Sequence, residues 1–143
     1  GGGEGGGQGQ EGFAIVLTVR GEQSMTWAPV QDVTFRYNIV RNSGLGVLIT
    51  GTDDSGVSAG GQLMHFHNNL WRLPGGWSGS DNFCRLSLTA DDITMDHNTI
   101  DQGGSALMVY AGPHQRFVLT NNLIGQGEQS HCGRPSWDCG DAW

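Results

Sequence analysis

Two adjacent carboxylates, Asp53 and Asp54, are the residues of this sequence that most directly suggest chemistry. They lie in a loop rich in Gly and Ser that spans residues 51–61. Carboxylate oxygens are good ligands for Ca²⁺, and a pair of carboxyl groups can supply the acid and the base of glycoside hydrolysis. Asp is also common in such loops because its side chain supports turns. We take Asp53 and Asp54 as candidate catalytic residues, with Ca²⁺ binding as the alternative chemistry.

Three further residues are candidates for binding a substrate. Arg20 and Arg85 offer guanidinium groups, which pair well with the carboxylate of a uronate sugar. Tyr110 is the aromatic residue of the face on which Arg85 is predicted to lie. The loops at the adjoining end of that face also carry Asp91, Asp92 and His114. Turn formation is the alternative explanation for these additional carboxylates.

His65 and His67 stand two positions apart, which puts both imidazoles on one face of a predicted strand. Two imidazoles at this spacing can share a metal ion, but no third ligand with a fitting spacing is apparent in the sequence. A solvated strand face is therefore the favoured interpretation of this pair.

The three Cys residues leave several possibilities open. Cys132 and Cys139 lie near the C-terminus beside His131, and together these residues offer three metal ligands, fewer than a closed zinc site has. In an oxidising compartment the same two Cys residues could instead close a small disulfide loop. Cys84 opens a predicted strand, and we expect it to be an unpaired and buried small residue. We assign no metal to these Cys residues and His131.

The elements that position these residues come from a repeated pattern. Apolar residues alternate with other residues, an Asn follows three positions later, and a further apolar residue comes two positions after the Asn. Alternation of this kind predicts a strand with one buried face. The Asn positions 38, 69, 98 and 122 are 31, 29 and 24 residues apart, a recurrence typical of solenoids. The four copies are Val33, Phe35, Asn38 and Val40; Met64, Phe66, Asn69 and Trp71; Ile93, Met95, Asn98 and Ile100; and Phe117, Leu119, Asn122 and Ile124.

The repeated Asn residues are predicted to bend the chain and to stack. Asn adopts the left-handed backbone conformation at low cost, so one such residue can turn a strand by about a right angle. In stacked coils, the amides of Asn38, Asn69, Asn98 and Asn122 would lie about 4.8 Å apart and hydrogen-bond as a ladder. A ladder explains why a polar residue recurs at an inward position, because a buried amide without partners is costly.

Between the copies lie further strand-like segments, which we assign to the third strand of each coil. They span residues 13–19, 47–50, 85–89 and 107–110. The residues expected to face inward are Ile15, Leu17, Ile49, Leu86, Leu88, Leu107 and Val109. The outward row nearest the following loop is then Thr18, Thr50, Thr89 and Tyr110, and the second row is Val16, Leu48, Ser87 and Met108, with Arg85 beyond Ser87.

This order of strand, Asn bend, short strand, turn and third strand resembles the right-handed parallel β-helix of the pectin-lyase-like superfamily. Residues 12–20 and 30–41 are also similar to bacterial members of that group. The resemblance implies an all-β, right-handed parallel β-helix of about four partial coils, and a secreted or cell-surface location. It also implies that the chain binds or processes polysaccharide along the third-strand face. A non-catalytic extracellular or surface adhesion scaffold is the alternative.

The enzyme motifs of that superfamily are incomplete in this chain. Residues 96–98, Asp-His-Asn, resemble the Asp-His stretch of pectate lyases, but the structural repeat accounts for the same tripeptide. His97 is expected at the bend, away from the usual substrate groove. The Arg-x-Pro-x-x-Arg segment of those lyases is missing, since Arg134 is followed by Pro without the second Arg in place. The resemblance therefore carries the fold and leaves catalysis open.

Composition and charge limit the remaining possibilities. A chain of 143 residues allows one domain, and its 25 Gly residues suit a turn-rich β fold. The formal net charge of −7 argues against nucleic acid as a partner, and no apolar run is long enough to insert into a membrane. We divide the chain into a Gly-rich stretch 1–12, a β-helix domain 13–126 and an irregular tail 127–143. We expect the chain to be a monomer. We also expect it to be a fragment of a longer solenoid, because its first strand matches the third strand of a coil.

Overall fold

The structure is a computed structural model, and it describes residues 12–19, 27–52, 60–73 and 82–125. These residues form strands joined by bends and turns, and they contain no helix. The strands are β1 Phe13–Thr18, β2 Val30–Arg36, β3 Ile39–Arg41, β4 Leu45–Thr50, β5 Gly61–His67, β6 Leu70–Leu73, β7 Cys84–Ser87, β8 Asp91–Asp96, β9 Thr99–Gln102, β10 Leu107–Tyr110, β11 Phe117–Thr120 and β12 Leu123–Ile124.

The strands pair in parallel into three sheets of four strands each. Sheet A has the order β1-β4-β7-β10, sheet B the order β2-β5-β8-β11, and sheet C the order β3-β6-β9-β12. Parallel neighbours need a crossover connection. Here the strands of the other two sheets supply it, because every third strand returns to the same sheet. This confirms an all-β fold of stacked parallel sheets, as expected of a solenoid-like β-helix. We call one passage through the three sheets a coil.

The space between the sheets holds one apolar core. Trp71 on β6 is fully buried, and its ring centroid lies 5.6 Å from that of Phe35 and 5.1 Å from that of Phe83. Burial of one large apolar side chain contributes about 1.5–3 kcal/mol, so the aromatic residues hold sheets B and C together. The buried cluster consists of Val47, Ile49, Met64, Phe66, Trp71, Leu73, Phe83, Cys84, Leu86, Ala90, Ile93, Met95 and Ile100.

Four Asn side chains, one at each junction between sheets B and C, are bonded to one another from coil to coil. Asn38 Nδ2 donates to Asn69 Oδ1 at 3.2 Å, and Asn69 Nδ2 donates to Asn98 Oδ1 at 3.0 Å. Asn98 Nδ2 donates to Asn122 Oδ1 at 3.0 Å. The backbone N–H groups of Asn38, Asn69 and Asn98 donate to the same three oxygens at 3.0, 3.2 and 2.8 Å. The amides thereby satisfy polar groups that the core would otherwise leave unpaired.

The left-handed residue at each junction lies one position before the one that the sequence pattern predicted. Tyr37, Asn68, His97 and Asn121 have φ values of 57°, 55°, 51° and 54°. The inward Asn instead supports the bend through its side chain. Asn98 Nδ2, for example, also contacts Asp96 O at 3.2 Å, two residues earlier, and Phe66 O of the preceding coil at 3.0 Å. The expectation that Asn itself supplies the left-handed backbone was wrong. The Asn position requires a side-chain amide that hydrogen-bonds within and between coils, and the residue before it supplies the left-handed backbone.

Sheet A departs from the expected register at β7. Thr50 pairs with Ser87, and Ser87 pairs with Tyr110. Thr89, which was expected in this row, has a φ of 55°, and Leu88 has a φ of 54°. The chain is therefore already turning after Ser87, and the assignments of Leu88 to the core and Thr89 to the outward row were wrong. The inward positions of β7 are Cys84 and Leu86.

Two coils approach very closely at the start of β4. Gly46 N donates to Asn82 O at 2.9 Å, and a Cβ at Gly46 would lie 2.1 Å from Phe83 O. Real Cβ atoms do not come that near to a backbone oxygen. Glycine is therefore required here for packing between coils rather than for an unusual φ.

Candidate functional site

Several of the predicted site residues lie outside the described parts of the chain. These are Arg20, Asp53, Asp54 and the tail residues His131, Cys132 and Cys139. The structure places the remaining candidates, which are Arg85 and Tyr110 on sheet A, the loop-end residues Asp91, Asp92 and His114, and the pair His65 and His67 on sheet B.

The two loop-end carboxylates are occupied by contacts with the following coil. Asp91 Oδ1 accepts a hydrogen bond from Gln115 N at 2.8 Å. Asp92 forms a two-point ion pair with Arg116, in which Nη2 lies 2.7 Å from Oδ2 and Nε donates to Oδ1. The hydrogen bond from Arg116 holds the pKa of Asp92 below its ordinary value. Both carboxylates therefore fasten adjacent coils together.

His114 is likewise held by backbone groups. Its Nδ1 lies 3.2 Å from Ala90 O, and its Nε2 lies 3.1 Å from Tyr110 O. The ring therefore bridges the end of β10 and the turn before β8. Across residues 12–19, 27–52, 60–73 and 82–125, no three His, Cys, Asp or Glu side chains are grouped so that they could hold a metal ion. Whether Asp53 and Asp54 bind Ca²⁺ stays a prediction.

The outer face of sheet A brings together two of the predicted substrate-binding residues. Arg85 Cζ lies 5.6 Å from the ring centroid of Tyr110 and 5.2 Å from that of Phe13. The Tyr110 hydroxyl donates to Met108 Sδ at 3.7 Å. The rows that follow from the register are Thr18, Thr50, Ser87 and Tyr110, and beside them Val16, Leu48, Arg85 and Met108.

The outward residues of this sheet include a half-buried guanidinium and the ring of Tyr110. Arg85 Nε and the Thr50 hydroxyl oxygen are shielded from water, and Leu48 is buried. No carboxylate pair lies on the described strands of sheet A.

The outer face of sheet B is more densely polar than the sequence indicated. The ring centroids of His65 and His67 lie 4.3 Å apart, with an angle of 30° between the rings. The ring of Tyr37 meets that of His67 edge-on, with centroids 5.8 Å apart, and Arg36 Cζ lies 5.8 Å from the Tyr37 ring. Tyr37 is 72% exposed. The result is a strip of basic and aromatic groups that runs across β2 and β5.

On the next strand of the same face, Asp96 and His97 form a bonded pair. His97 Nδ1 lies 2.6 Å from Asp96 Oδ2, and Asp96 Oδ1 accepts from Thr120 Oγ1 and Asn121 Nδ2, each at 2.9 Å. The bond from His97, followed by that from Asn121, lowers the pKa of Asp96 to about 2. His97 lies at the bend between β8 and β9, as the sequence predicted, and therefore not on a strand of sheet A.

Register in the parallel sheet explains why sequence reasoning missed this strip. Arg36, His67 and Asp96 are consecutive partners on β2, β5 and β8. They are separated by 31 and 29 positions in the sequence. The sequence contains a signal for this strip, because each of the three residues lies two positions before a repeated Asn.

Cys84 is buried and free, as predicted, and burial raises the pKa of its thiol. It lines an apolar crevice that has no room for a water molecule, together with Phe83, Met95, Leu107 and Phe117. A buried neutral thiol behaves as a small apolar side chain and not as a nucleophile.

No helix in the described part of the chain is both long and apolar enough to cross a membrane. Comparison of the chain with protein-family models, with curated proteins and with solved structures finds no match.

Proposed function

We propose that this chain forms part of a right-handed parallel β-helix of the pectin-lyase-like kind that binds an acidic polysaccharide along the outer face of sheet A. The proposal includes an Asn ladder at Asn38, Asn69, Asn98 and Asn122, about four partial coils, and a secreted or cell-surface location. Three parallel sheets traversed in turn, and hydrogen bonds between successive Asn amides, support the architecture.

The observation that carries the binding proposal is the position of Arg85 close to two aromatic rings. Tyr110 and Phe13 both lie within 6 Å of its guanidinium carbon, at 5.6 and 5.2 Å. A guanidinium held in this way is partly preorganised to pair with a planar carboxylate such as that of a uronate. The ring of Tyr110 offers an apolar surface to the same ligand, and its hydroxyl a polar group.

The shape of sheet A suits an extended ligand. Its four strands lie side by side at a spacing of about 4.8 Å, so one outward row offers a side chain at each step over about 14 Å. A polysaccharide presents repeated polar units along its length, and the row of Thr18, Thr50 and Ser87 runs in the same direction, with the Thr50 hydroxyl oxygen shielded from water.

The charge of the whole chain makes the local cation necessary. With a net charge of −7, the chain repels an acidic glycan at long range. Attraction must therefore come from close contacts at the face itself. Loss of Arg85 should for that reason affect an acidic glycan more than a neutral one.

Asp53 and Asp54 remain the proposed catalytic residues if the glycan is also cleaved. Arg20 is the second proposed cation. The alternative is a non-catalytic extracellular or surface scaffold, and the observation that favours it is the engagement of Asp91 and Asp92 in contacts between coils. Turnover of acidic glycans by the wild type, together with Asp53→Ala and Asp54→Ala, distinguishes these cases. Unchanged turnover in both variants removes their catalytic role.

Binding is tested by titrating oligogalacturonate and a neutral galactan into the protein and into Arg85→Ala. Arg72→Ala is the matched control, because Arg72 is exposed on sheet C and its removal changes the net charge equally. We expect Arg85→Ala to raise Kd for the acidic ligand by about five- to tenfold, and Arg72→Ala to change it less than twofold. Tyr110→Ala, with Tyr37→Ala as its control, should weaken both ligands. Equal effects of Arg85→Ala and Arg72→Ala would contradict the proposal.

A further inference from the structure

His65 and His67 project from the same side of β5, the second strand from one edge of sheet B. Their buried neighbours Met64 and Phe66 are 1% and 0% exposed, and β5 pairs with strands on both sides. The backbone that carries the two imidazoles is therefore fixed by the core. A chelate gains affinity when its groups are held close together before the ligand arrives.

The separation of the two rings fits coordination of one metal ion. Two nitrogens bound to one ion at about 2.0–2.1 Å lie roughly 3 Å apart. Rings whose centroids lie 4.3 Å apart reach that arrangement by rotation about the side-chain bonds, without movement of the strand. The spacing comes from the strand itself, since residues two positions apart share one face.

Each ring also has a local feature that is consistent with a ligand. His65 Nε2 is shielded from water and has no hydrogen-bond partner within the described residues, so turning the ring outward toward a hydrated metal ion breaks no hydrogen bond at this nitrogen. His67 Nδ1 lies 2.8 Å from Asn68 Nδ2. When a metal binds His67 Nε2, the ring proton is on Nδ1, and the Asn68 amide accepts it through its oxygen after a half-turn. Metal-binding His residues commonly have such a partner on the other nitrogen.

A third protein ligand is not supplied by the nearest carboxylate. Asp96 pairs with His67 in register, but both of its oxygens are bonded, to His97 at 2.6 Å and to Thr120 and Asn121 at 2.9 Å. The other coordination positions therefore fall to water. Affinities of simple nitrogen sites rise toward Cu²⁺ and fall again at Zn²⁺.

We propose that His65 and His67 form a two-imidazole chelate on sheet B that binds a divalent transition-metal ion, with Cu²⁺ preferred over Ni²⁺ and Zn²⁺. The site is separate from the glycan-binding face proposed on sheet A, so either proposal can fail without the other.

The test is a Cu²⁺ titration of the full chain at pH 7.5, in a Cys132→Ser/Cys139→Ser background that removes the tail thiols as competing ligands. Histidine ring signals are followed by NMR, because bound Cu²⁺ broadens the nearest ones, and Kd is measured by calorimetry. We expect the signals of His65 and His67 to broaden first. His65→Ala and His67→Ala should each raise Kd at least about tenfold, since the chelate is lost.

His97→Asn is the matched control, because it removes a third imidazole of the same face while Asn tolerates the φ of 51° at that position. It should not raise Kd, because both chelating imidazoles are retained and the change frees only Asp96 Oδ2 as an additional ligand. Circular dichroism of all three variants checks that each is folded. The proposal is overturned if His67→Ala and His97→Asn have equal Kd values, or if broadening begins at a histidine other than His65 and His67.

Discussion

The bonds between successive Asn side chains lead to a prediction that can be tested by a double-mutant cycle. Asn98 is 1% exposed. Its Nδ2 contacts Phe66 O, Asp96 O and Asn122 Oδ1 at 3.0–3.2 Å, and its Oδ1 accepts from Asn69 N and Asn69 Nδ2. Asn98→Ala therefore leaves the Asn69 backbone N–H buried without its acceptor.

The magnitude follows from these contacts. A buried donor left unsatisfied costs about 1–3 kcal/mol, and each further lost hydrogen bond costs about 1 kcal/mol. We expect Asn98→Ala to lower the free energy of unfolding by about 3–5 kcal/mol. The double-mutant cycle with Asn69→Ala isolates the single bond between the two side chains. The backbone N–H of residue 69 loses its acceptor in Asn98→Ala whether residue 69 is Asn or Ala, so that cost cancels in the cycle. The double variant should lose about 1 kcal/mol less than the sum of the single losses.

The reference cycle combines Asn38→Ala with Asn98→Ala. These residues are two coils apart and are each bonded to Asn69 rather than to one another. Their effects should add within about 0.5 kcal/mol. Urea denaturation followed by circular dichroism measures each stability, with sucrose added if a variant is unfolded in water. Equal coupling in both cycles, or a loss below about 1 kcal/mol for Asn98→Ala, would refute this account of the junction.

Three further predictions concern packing, pH and thiol reactivity. Gly46→Ala should destabilise the protein by more than about 2 kcal/mol in urea denaturation, because its Cβ would lie 2.1 Å from a backbone oxygen. Gly125→Ala, where the nearest such atom is 3.4 Å away, should stay within about 0.5 kcal/mol, and similar losses would contradict this. Because the bond from His97 lowers the pKa of Asp96 from 3.8 to about 2, this contribution to stability is complete above about pH 4 and is lost between pH 4 and pH 2. Thermal melting of Asp96→Asn should therefore show a smaller loss over this range than the wild type, and identical slopes would argue against it. Cys84 should resist iodoacetamide in the native Cys132→Ser/Cys139→Ser protein, since burial raises the pKa of its thiol, and it should react when the protein is unfolded in about 8 M urea. Mass spectrometry measures the extent of labelling. Rapid labelling of the native protein would show that the core opens.

The candidate site was predictable in part. Arg85 and Tyr110 could be assigned to one outward face from alternation alone, and the structure brings them together. The assignment of the β7 residues to rows could not be predicted, because the loop before β7 has no fixed length in the repeat. The backbone also leaves the strand earlier than expected, at Leu88, which has a left-handed φ. The contacts of Asp91 and Asp92 were also not predictable, since their partners belong to the next coil and lie 24 positions later.

The sequence by itself determined that the chain is all-β, that its strands stack in parallel, and that the apolar residues of the repeated pattern enter the core. The physical reason is that alternation and recurrence are local properties, and burial selects them directly. Only the tertiary structure decided which residue of each junction is left-handed, where the carboxylates are bound, and that His65, His67 and Asp96 share one face. Those outcomes depend on register between coils, which is set by contacts between residues about thirty positions apart and not by any single segment.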